Sequence, residues 1–387
     1  MKRTWLAGAL ALTCAGCSAE PGEPEWRGTM HRDGAAVEVR NPAAPVFGEG
    51  AASAEPLWTT SGPTGDAVAR SWSQPNRVAL GAGEIYVLDP TAHRVHVVSR
   101  SGDPLRQVGR EGKGPGELES PFGVAFVDGL LAVGDARSVD LFSPAGEPSG
   151  SVRLGTIPLS LAGLEPGGLL VKTFRGEPRL YSVGGGAPPV SLPGFRKEGR
   201  AAEFACSRIS GAGSEIVQLD CARPVFQVIS REGAVVRTVR IDREPVEATS
   251  AELDLYRRSL GSDAAQAGSR SGGARSLIEG LVKSASPKRV MRGIRYDTAA
   301  HLYAVWEQQP QEFGNGPARL HLFSREGVFL VTLPFAEPWV DFAMDARTVY
   351  ALAEDPGTGV VRLAAYRVTL SPAAARAAAA TVESGSS

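Results

Sequence analysis

The chain has 387 residues and a formal net charge of −1 at pH 7, with 46 glycines and 28 prolines. This balance of charge excludes a bulk electrostatic basis for binding nucleic acid. The many glycines and prolines indicate frequent turns, and the length suffices for one large domain or two ordinary ones.

The N-terminus has the features of an export signal. Two basic residues precede an apolar run from Trp5 to Leu12 that is too short to span a bilayer. The stretch that follows, Cys14-Ala15-Gly16-Cys17, resembles a bacterial lipobox, although Cys14 stands where that pattern prefers Leu. The resemblance implies cleavage of residues 1–17 as a lipoprotein signal peptide and lipidation of Cys17, with ordinary secretion as the alternative. We therefore expect a membrane-anchored lipoprotein, in the periplasm or at the cell surface.

Two terminal segments are expected to lie outside the folded domain. Residues 18–33 begin polar and proline-rich, which predicts a flexible tether. Residues 372–387 are rich in alanine and end polar, which predicts a C-terminal tail that is either a frayed helix or disordered. The folded domain is expected over residues 34–371.

Cys206 and Cys221 are the only cysteines expected in the folded part. They flank residues 209–219, which are typical of a turn and a strand, so they could face each other across neighbouring strands. In an oxidising compartment such a pair often forms a disulfide, and two buried thiols are the alternative. Two cysteines without a nearby histidine cannot supply four zinc ligands.

A unit of several short strands recurs along the chain. Its second and third strands are expected at residues 84–89 and 94–102, 130–135 and 139–146, 168–172 and 179–183, 215–220 and 225–233, 301–307 and 319–327, and 348–354 and 361–366. The acidic residue that ends the second strand recurs after 46 residues between Asp89 and Asp135, and after 47 between Glu307 and Glu354. A period in the forties with several short strands per unit is typical of a β-propeller, here of six blades.

A longer interval separates the fourth unit from the fifth. Residues 249–252 resemble a capping box that opens a short helix through Leu260. A Gly/Ser-rich stretch and a second amphipathic segment follow. We expect a helical insertion over residues 248–290, either a solvated cap packed on the propeller or a lid over one end of its central channel.

Closure of the ring requires a further strand, because the sixth unit ends near Leu370. Residues 35–40 and 56–60 are the two N-terminal candidates. One of them is expected to complete the last blade.

Residues 108–125 resemble the interblade signature of NHL-type propellers, and are especially similar to exported bacterial proteins called six-bladed β-propeller proteins. The resemblance covers most of the mature chain. It implies an all-β, six-bladed propeller at the cell envelope. It implies little about activity, because propellers include both binders and enzymes.

The sequence has no His-Glu-x-x-His motif, no nucleophile elbow and no phosphate-loop lysine motif, so we predict no catalytic residue, no metal ligand and no cofactor. The glycine-rich stretch Gly109–Gly116 is more typical of a tight turn between blades. Arg110 and Lys113 on this loop, and Arg137 in the next blade, are nevertheless candidate ligand-binding cations.

Metal-dependent propeller enzymes provide a comparison for the polar residues. Some NHL-type enzymes use channel-facing histidines, whereas His96 and His321 occupy equivalent third-strand positions and are predicted to be framework residues. Lactonase-type propellers place acidic residues and Asn on the axis, but Asn occurs only three times here. The recurring aspartates are interpreted as blade-turn residues.

Two functions remain. The leading hypothesis is a monomeric, non-catalytic binding or scaffold module that recognises a protein, peptide or glycan but not nucleic acid. The alternative is an NHL-type lyase or a lactonase-like hydrolase with its site at the channel mouth. Several acidic, His or Asn side chains along the axis would favour the enzyme, whereas small or apolar residues with isolated arginines would favour the binding module.

Overall fold

The computed structural model describes residues 24–60, 72–173, 178–183, 188–192, 208–266, 278–280, 282–283, 286–310 and 315–380. The predicted signal peptide, the lipidation site Cys17 and Cys206 lie outside these ranges. Within them, no helix is both long enough and apolar enough to cross a membrane.

Six β-sheets are arranged as the blades of a propeller, as the repeat predicted. Three strands precede the first blade: β1 (Thr29–Asp33), β2 (Ala36–Asn41) and β3 (Ala52–Thr60). Blade 1 comprises β4 (Arg77–Gly81), β5 (Glu84–Asp89), β6 (Arg94–Ser99) and β7 (Pro104–Val108). Blade 2 comprises β8 (Pro121–Val127), β9 (Leu130–Asp135), β10 (Ser138–Phe142) and β11 (Pro148–Arg153). Blade 3 comprises β12 (Pro158–Leu164), β13 (Gly168–Thr173), β14 (Arg179–Ser182) and β15 (Val190–Ser191).

The second half of the ring includes the N-terminal strands. Blade 4 comprises β16 (Arg208–Ala212), β17 (Glu215–Asp220), β18 (Val225–Ile229) and β19 (Val235–Ile241), followed in the sheet by β2 and β1. Blade 5 comprises β20 (Met291–Asp297), β21 (Leu302–Pro310), β22 (Asn315–Ser324) and β23 (Phe329–Pro334). Blade 6 comprises β24 (Trp339–Asp345), β25 (Thr348–Glu354), β26 (Val361–Leu370) and β3.

Strand β3 closes the ring, which confirms the prediction that an N-terminal strand completes the last blade. It pairs antiparallel with β26, and Trp58 lies opposite Ala365. The Trp58 indole also donates a hydrogen bond of 3.0 Å to the carbonyl oxygen of Arg100 in blade 1. The outer edge of β26 is therefore paired, and the last blade is joined to the first.

The predicted tether at residues 18–33 is wrong at its C-terminal end. Residues 29–33 form β1, which pairs antiparallel with β2, while β2 runs parallel to β19. Before β1, the indole of Trp26 donates to the Asn41 side chain at 3.1 Å. The sequence of β1 does not alternate apolar and polar residues because this edge strand is largely exposed, so the usual strand signal is missing.

The core lies between the blades and is supplied mainly by their second and third strands. In β5, Ile85, Tyr86, Val87 and Leu88 are all fully buried, since both faces of a middle strand meet a neighbouring blade. The inner strands approach one another closely. A Cβ atom at Gly211 would collide with the carbonyl oxygen of Gly163 on the inner strand of the adjacent blade.

A helix, α1 (Ser250–Gln266), lies between blades 4 and 5. Its start is a reciprocal capping box, because the Thr249 amide donates to the Glu252 carboxylate and the Glu252 amide donates to the Thr249 hydroxyl. Glu252 also forms a 2.5 Å ion pair with Lys288. Residues 267–277 lie outside the described part of the chain, so the full insertion at 248–290 and its role as cap or lid stay predictions.

The tail expected at residues 372–387 begins with a helix, but this helix is packed on the propeller and is neither frayed nor disordered. Residues 372–379 form a second helix, α2 (Pro372–Ala379), with the Ser371 side chain accepting a hydrogen bond from the Ala374 amide. Ala374 and Ala378 share one face and are buried against the core of blades 5 and 6. Their small side chains allow this close packing, which composition alone does not reveal. Residues 381–387 lie outside the described ranges.

Candidate functional site in the axial channel

The first strands of the six blades, β4, β8, β12, β16, β20 and β24, line a central cavity of about 190 Å³. Since neighbouring strands of each blade are antiparallel, three features lie on one face of the ring. These are the start of the inner strand, the turn between the second and third strands, and the connection to the next blade. We call this the connection face, and it includes residues 109–120 and the described residues between β19 and β20, which are 242–266, 278–280, 282–283 and 286–290.

Three arginines and one aspartate supply the charge in this cavity. Arg77 and Arg208 are the first residues of β4 and β16, and Arg295 comes from β20, whereas Asp341 comes from β24. The remaining lining residues are mostly small or apolar: Val78, Ala79, Leu80, Gly123, Val124, Ala125, Phe126, Ser160, Leu161, Ala162, Gly163, Ile209, Ser210, Gly211, Tyr296, Ala343 and Met344. The channel is therefore apolar and cationic, with a single described acidic side chain.

The Asp341 side chain links three blades through hydrogen bonds. One carboxylate oxygen accepts a 2.8 Å hydrogen bond from the Arg295 guanidinium, and the other accepts a 3.1 Å bond from the Val78 amide. The side chain is buried, with 5 % of its residue surface exposed. The charge of Arg295 is compensated by this ion pair.

Arg208 has no such compensation within the described part of the chain, where no hydrogen bond or ion pair reaches its guanidinium. Burial lowers its pKa to about 10, and the nearby charges of Arg77, Arg295 and Arg292 act in the same direction, whereas Asp341 opposes them. An arginine with this pKa is still protonated at neutral pH. The channel thus contains a partly desolvated cation that its cationic neighbours repel.

Arg110, Lys113 and Arg137, the candidate cations from sequence, lie on the connection face outside the channel. The Arg110 guanidinium lies 3.0 Å from the Glu117 carboxylate, and the Lys113 ammonium lies 2.7 Å from the Glu119 carboxylate. Arg137 is exposed in the turn between β9 and β10. Their role in ligand binding stays a prediction.

The glycine-rich loop at residues 109–116 is a connection between blades. Gly109 and Gly116 have φ values of 83° and 79°, in the left-handed region that favours glycine. The Glu117 carboxylate accepts hydrogen bonds from the amides of Lys113 and Gly114 and closes the turn. This arrangement accounts for the glycines without a bound phosphate.

The buried histidines lie in the third strands, as predicted, and not in the inner strands. The His321 ring is hydrogen-bonded to Glu307 at 2.7 Å and to Thr332 at 2.9 Å. The His96 ring lies 3.6 Å from the Asp89 carboxylate. Each histidine therefore lies beside a carboxylate of its own blade.

The recurring aspartates are structural. Asp89 accepts hydrogen bonds from the Ser73 and Gln74 amides, and Asp135 accepts from the Glu119 and Ser120 amides. Each carboxylate thereby fixes the chain segment that leads into the inner strand of its own blade. Among the described residues, no group of three or more His, Cys, Asp or Glu side chains is placed to hold a metal ion.

Cys221 is buried and takes part in a disulfide. Its predicted partner, Cys206, lies outside the described ranges, so the pairing of these two cysteines stays a prediction.

Sequence reasoning missed the four charged residues of the channel. A signal was present, because Arg77-Val78-Ala79 and Arg208-Ile209-Ser210 each begin an inner strand with an arginine, an aliphatic residue and a small residue. Aligning the inner strands of the six units would have placed both arginines at the same end of the channel.

No protein-family model and no curated protein matches the chain. Among solved structures, it is similar to a protein of Bacteroides fragilis NCTC 9343 described as exported, with a TM-score of 0.55 and 10% identity over 86% of this chain and 99% of that one. A DUF4221 member of Bacteroides vulgatus ATCC 8482 has a TM-score of 0.52 and 9% identity over 90% and 100% of the two chains. A virginiamycin B lyase of Staphylococcus aureus has a TM-score of 0.44 and 9% identity, over 76% and 80%, which is too weak a likeness for any argument about activity. At such identities the first two likenesses establish the fold alone.

Proposed function

We propose that this protein is a non-catalytic binding or scaffold module of the cell envelope, which recognises a protein, peptide or glycan through its connection face. The observation that carries the proposal is the lining of the channel, where small and apolar residues surround Arg77, Arg208 and Arg295. This is the composition expected of a binding propeller. Arginine is well suited to recognition because its guanidinium stays charged and binds carboxylate or phosphate groups through paired hydrogen bonds.

The state of Asp341 also favours binding. A general acid or base must exchange a proton with the reacting group at an accessible oxygen. Both oxygens of Asp341 already accept hydrogen bonds, from Arg295 and from the Val78 amide. Its role is therefore to hold the inner strands in register.

The anchor completes the proposal. A lipid on Cys17, followed by a tether shorter than the one first expected, would hold the propeller close to a membrane surface. Replacement of Cys17 by Ser should abolish incorporation of a radiolabelled fatty acid and release the protein from the membrane fraction. A labelled Cys17→Ser protein would overturn this part of the proposal.

Two assays with the full-length protein distinguish binding from catalysis. Glycan and peptide arrays measure binding, and mass spectrometry of every recovered ligand detects chemical conversion. Two charge-matched variants test the face: R110Q/R137Q on the connection face, and R325Q/R347Q in turns on the opposite face. We expect the first pair to weaken binding several-fold, the second to leave it unchanged, and each ligand to be recovered intact. Chemical conversion of the ligand, or equal binding by all three proteins, would overturn the proposal.

A further inference from the structure

The cationic channel has an electrostatic feature that the fold does not require. Asp341 compensates Arg295, but Arg208 and Arg77 lack a comparable carboxylate partner among the described residues. Within the described ranges, the Arg77 side chain donates only to the carbonyl oxygen of its neighbour Asn76, at 2.7 Å. Two positive charges therefore remain at the start of β4 and β16, on the connection face.

Like charges in a partly desolvated space destabilise the folded protein, since the effective dielectric constant there is well below that of water. The lowered pKa of Arg208 reflects both its burial and this repulsion. Arg292 adds to the positive field, and its Nε atom is buried without a hydrogen-bond acceptor among the described residues. An anion placed near these groups would supply both a countercharge and acceptors.

We infer that the channel binds the oxyanion group of a ligand, a phosphate, sulfate or carboxylate, between Arg77 and Arg208. Ser160 also lines the cavity and brings a hydroxyl donor to it, whereas the Ser210 hydroxyl donates to the carbonyl oxygen of Gly211. The volume of about 190 Å³ is below the roughly 300–1,000 Å³ of pockets that enclose a drug-sized molecule. The cavity therefore accommodates a small free anion or the charged end of a larger ligand.

This inference deepens the proposed function and rests on it for the identity of the larger ligand. The probes are inorganic phosphate, inorganic sulfate and citrate, each compared with sodium chloride at the same ionic strength. Binding is measured on the full-length protein by calorimetry and by the shift in melting temperature, which rises when a ligand binds only the folded state. The three anions distinguish phosphate, sulfate and carboxylate as the preferred group.

The test variants are R208Q and R77Q, and the matched control is R223Q, which removes the same charge from an exposed position in the turn between β17 and β18, on the same face outside the channel. We expect at least one anion to raise the melting temperature of the natural protein and of R223Q. Loss of one charge-assisted contact should weaken binding about ten- to a hundredfold in R208Q and R77Q. Without any anion, R208Q should melt no lower than the natural protein, because the substitution removes a repelled charge.

Three results would overturn the inference: no shift with any anion, the same shift with chloride, or unchanged anion binding in both R208Q and R77Q. If R208Q fails to fold, R77Q alone decides between the outcomes. If the protein binds a ligand on the arrays but its melting temperature does not respond to any anion, this inference is rejected and the proposed function stays in place. An anion response without any array binding rejects the proposed function and leaves the channel site in place.

Discussion

Glu307 Oε2 lies 2.7 Å from His321 Nε2, across the second and third strands of blade 5. The same carboxylate oxygen accepts a 2.7 Å hydrogen bond from Arg243, which lies just after β19. Burial by itself would raise the pKa of Glu307, but the hydrogen bonds from His321 and Arg243 outweigh it and lower the pKa to about 2. This buried cluster joins blade 4 to blade 5 and is separate from the channel.

Replacement of Glu307 by Gln should therefore destabilise the fold. Removing one member of a buried charged cluster typically costs about 3–5 kcal/mol, and the partial exposure of Arg243 reduces this to about 2–3 kcal/mol at neutral pH. Because the folded-state pKa is lowered, the carboxylate stabilises the protein fully above its ordinary value of 4.5. That contribution is lost as the pH falls toward about 2.

Urea denaturation at a series of pH values checks both statements. The free energy of unfolding should fall more steeply below pH 4.5 in the natural protein than in Glu307→Gln. Glu49→Gln, at an exposed position, serves as the control and should follow the natural protein. Equal slopes for the natural protein and Glu307→Gln would show that this cluster does not couple folding to protonation.

Gly211→Ala should destabilise the centre of the ring. Its Cβ atom would collide with the backbone oxygen of Gly163, which cannot move as a side chain can. Overpacking of this kind typically costs about 1–3 kcal/mol. Gly48→Ala is the matched control, because its Cβ would meet no atom within 4 Å. Thermal melting of both variants measures the difference, and equal melting temperatures would mean that the inner strands separate easily.

Trp58→Ala tests the closure of the ring by β3. The variant loses the hydrogen bond to the Arg100 carbonyl oxygen. It also loses the packing of the indole against Tyr350, where the two ring centroids are 6.1 Å apart. We expect a loss of about 2–4 kcal/mol for this partly buried aromatic side chain. Leu57→Ala, at the exposed neighbouring position of the same strand, should change stability by less than about 0.5 kcal/mol. If the two variants unfold at the same urea concentration, Trp58 is not the closing contact.

Cys221→Ser should lower stability by about 2–5 kcal/mol, the usual effect of removing a native disulfide. The pairing itself is measured by mass spectrometry of unreduced peptides from protein purified without reductant. We expect one peptide that contains both Cys206 and Cys221 and loses its cross-link on reduction. Free alkylation of Cys206 without reductant would contradict the pairing.

The sequence was most informative about the middle strands of the blades. Strands such as β5 and β25 are buried on both faces, so they appear as continuous apolar runs that end at Asp89 or Glu354. The edge strand β1 lacks such a pattern, because pairing with β2 requires backbone hydrogen bonds and not apolar side chains. The packing of the helix at residues 372–379 could not be predicted for a related reason, since only its docking position makes Ala374 and Ala378 core residues.

The candidate site could be predicted only in part. Loop cations such as Arg110 are visible as members of one local segment. Arg77, Arg208 and Arg295 come from three different blades, and only closure of the ring brings them into one cavity. Nor could the sequence reveal that the Asp341 carboxylate forms an ion pair with Arg295 and not with Arg77 or Arg208.

Hydrogen–deuterium exchange, with and without the ligand that binds best on the arrays, tests the central proposal most directly. A partner bound at the connection face should protect the amides of residues 109–120, the start of β4 and the start of β16. The turns of the opposite face, such as the one between β22 and β23, should exchange at unchanged rates. Protection confined to that opposite face or to the outer strands of the blades would contradict the proposal that the protein recognises its partner at the mouth of the cationic channel.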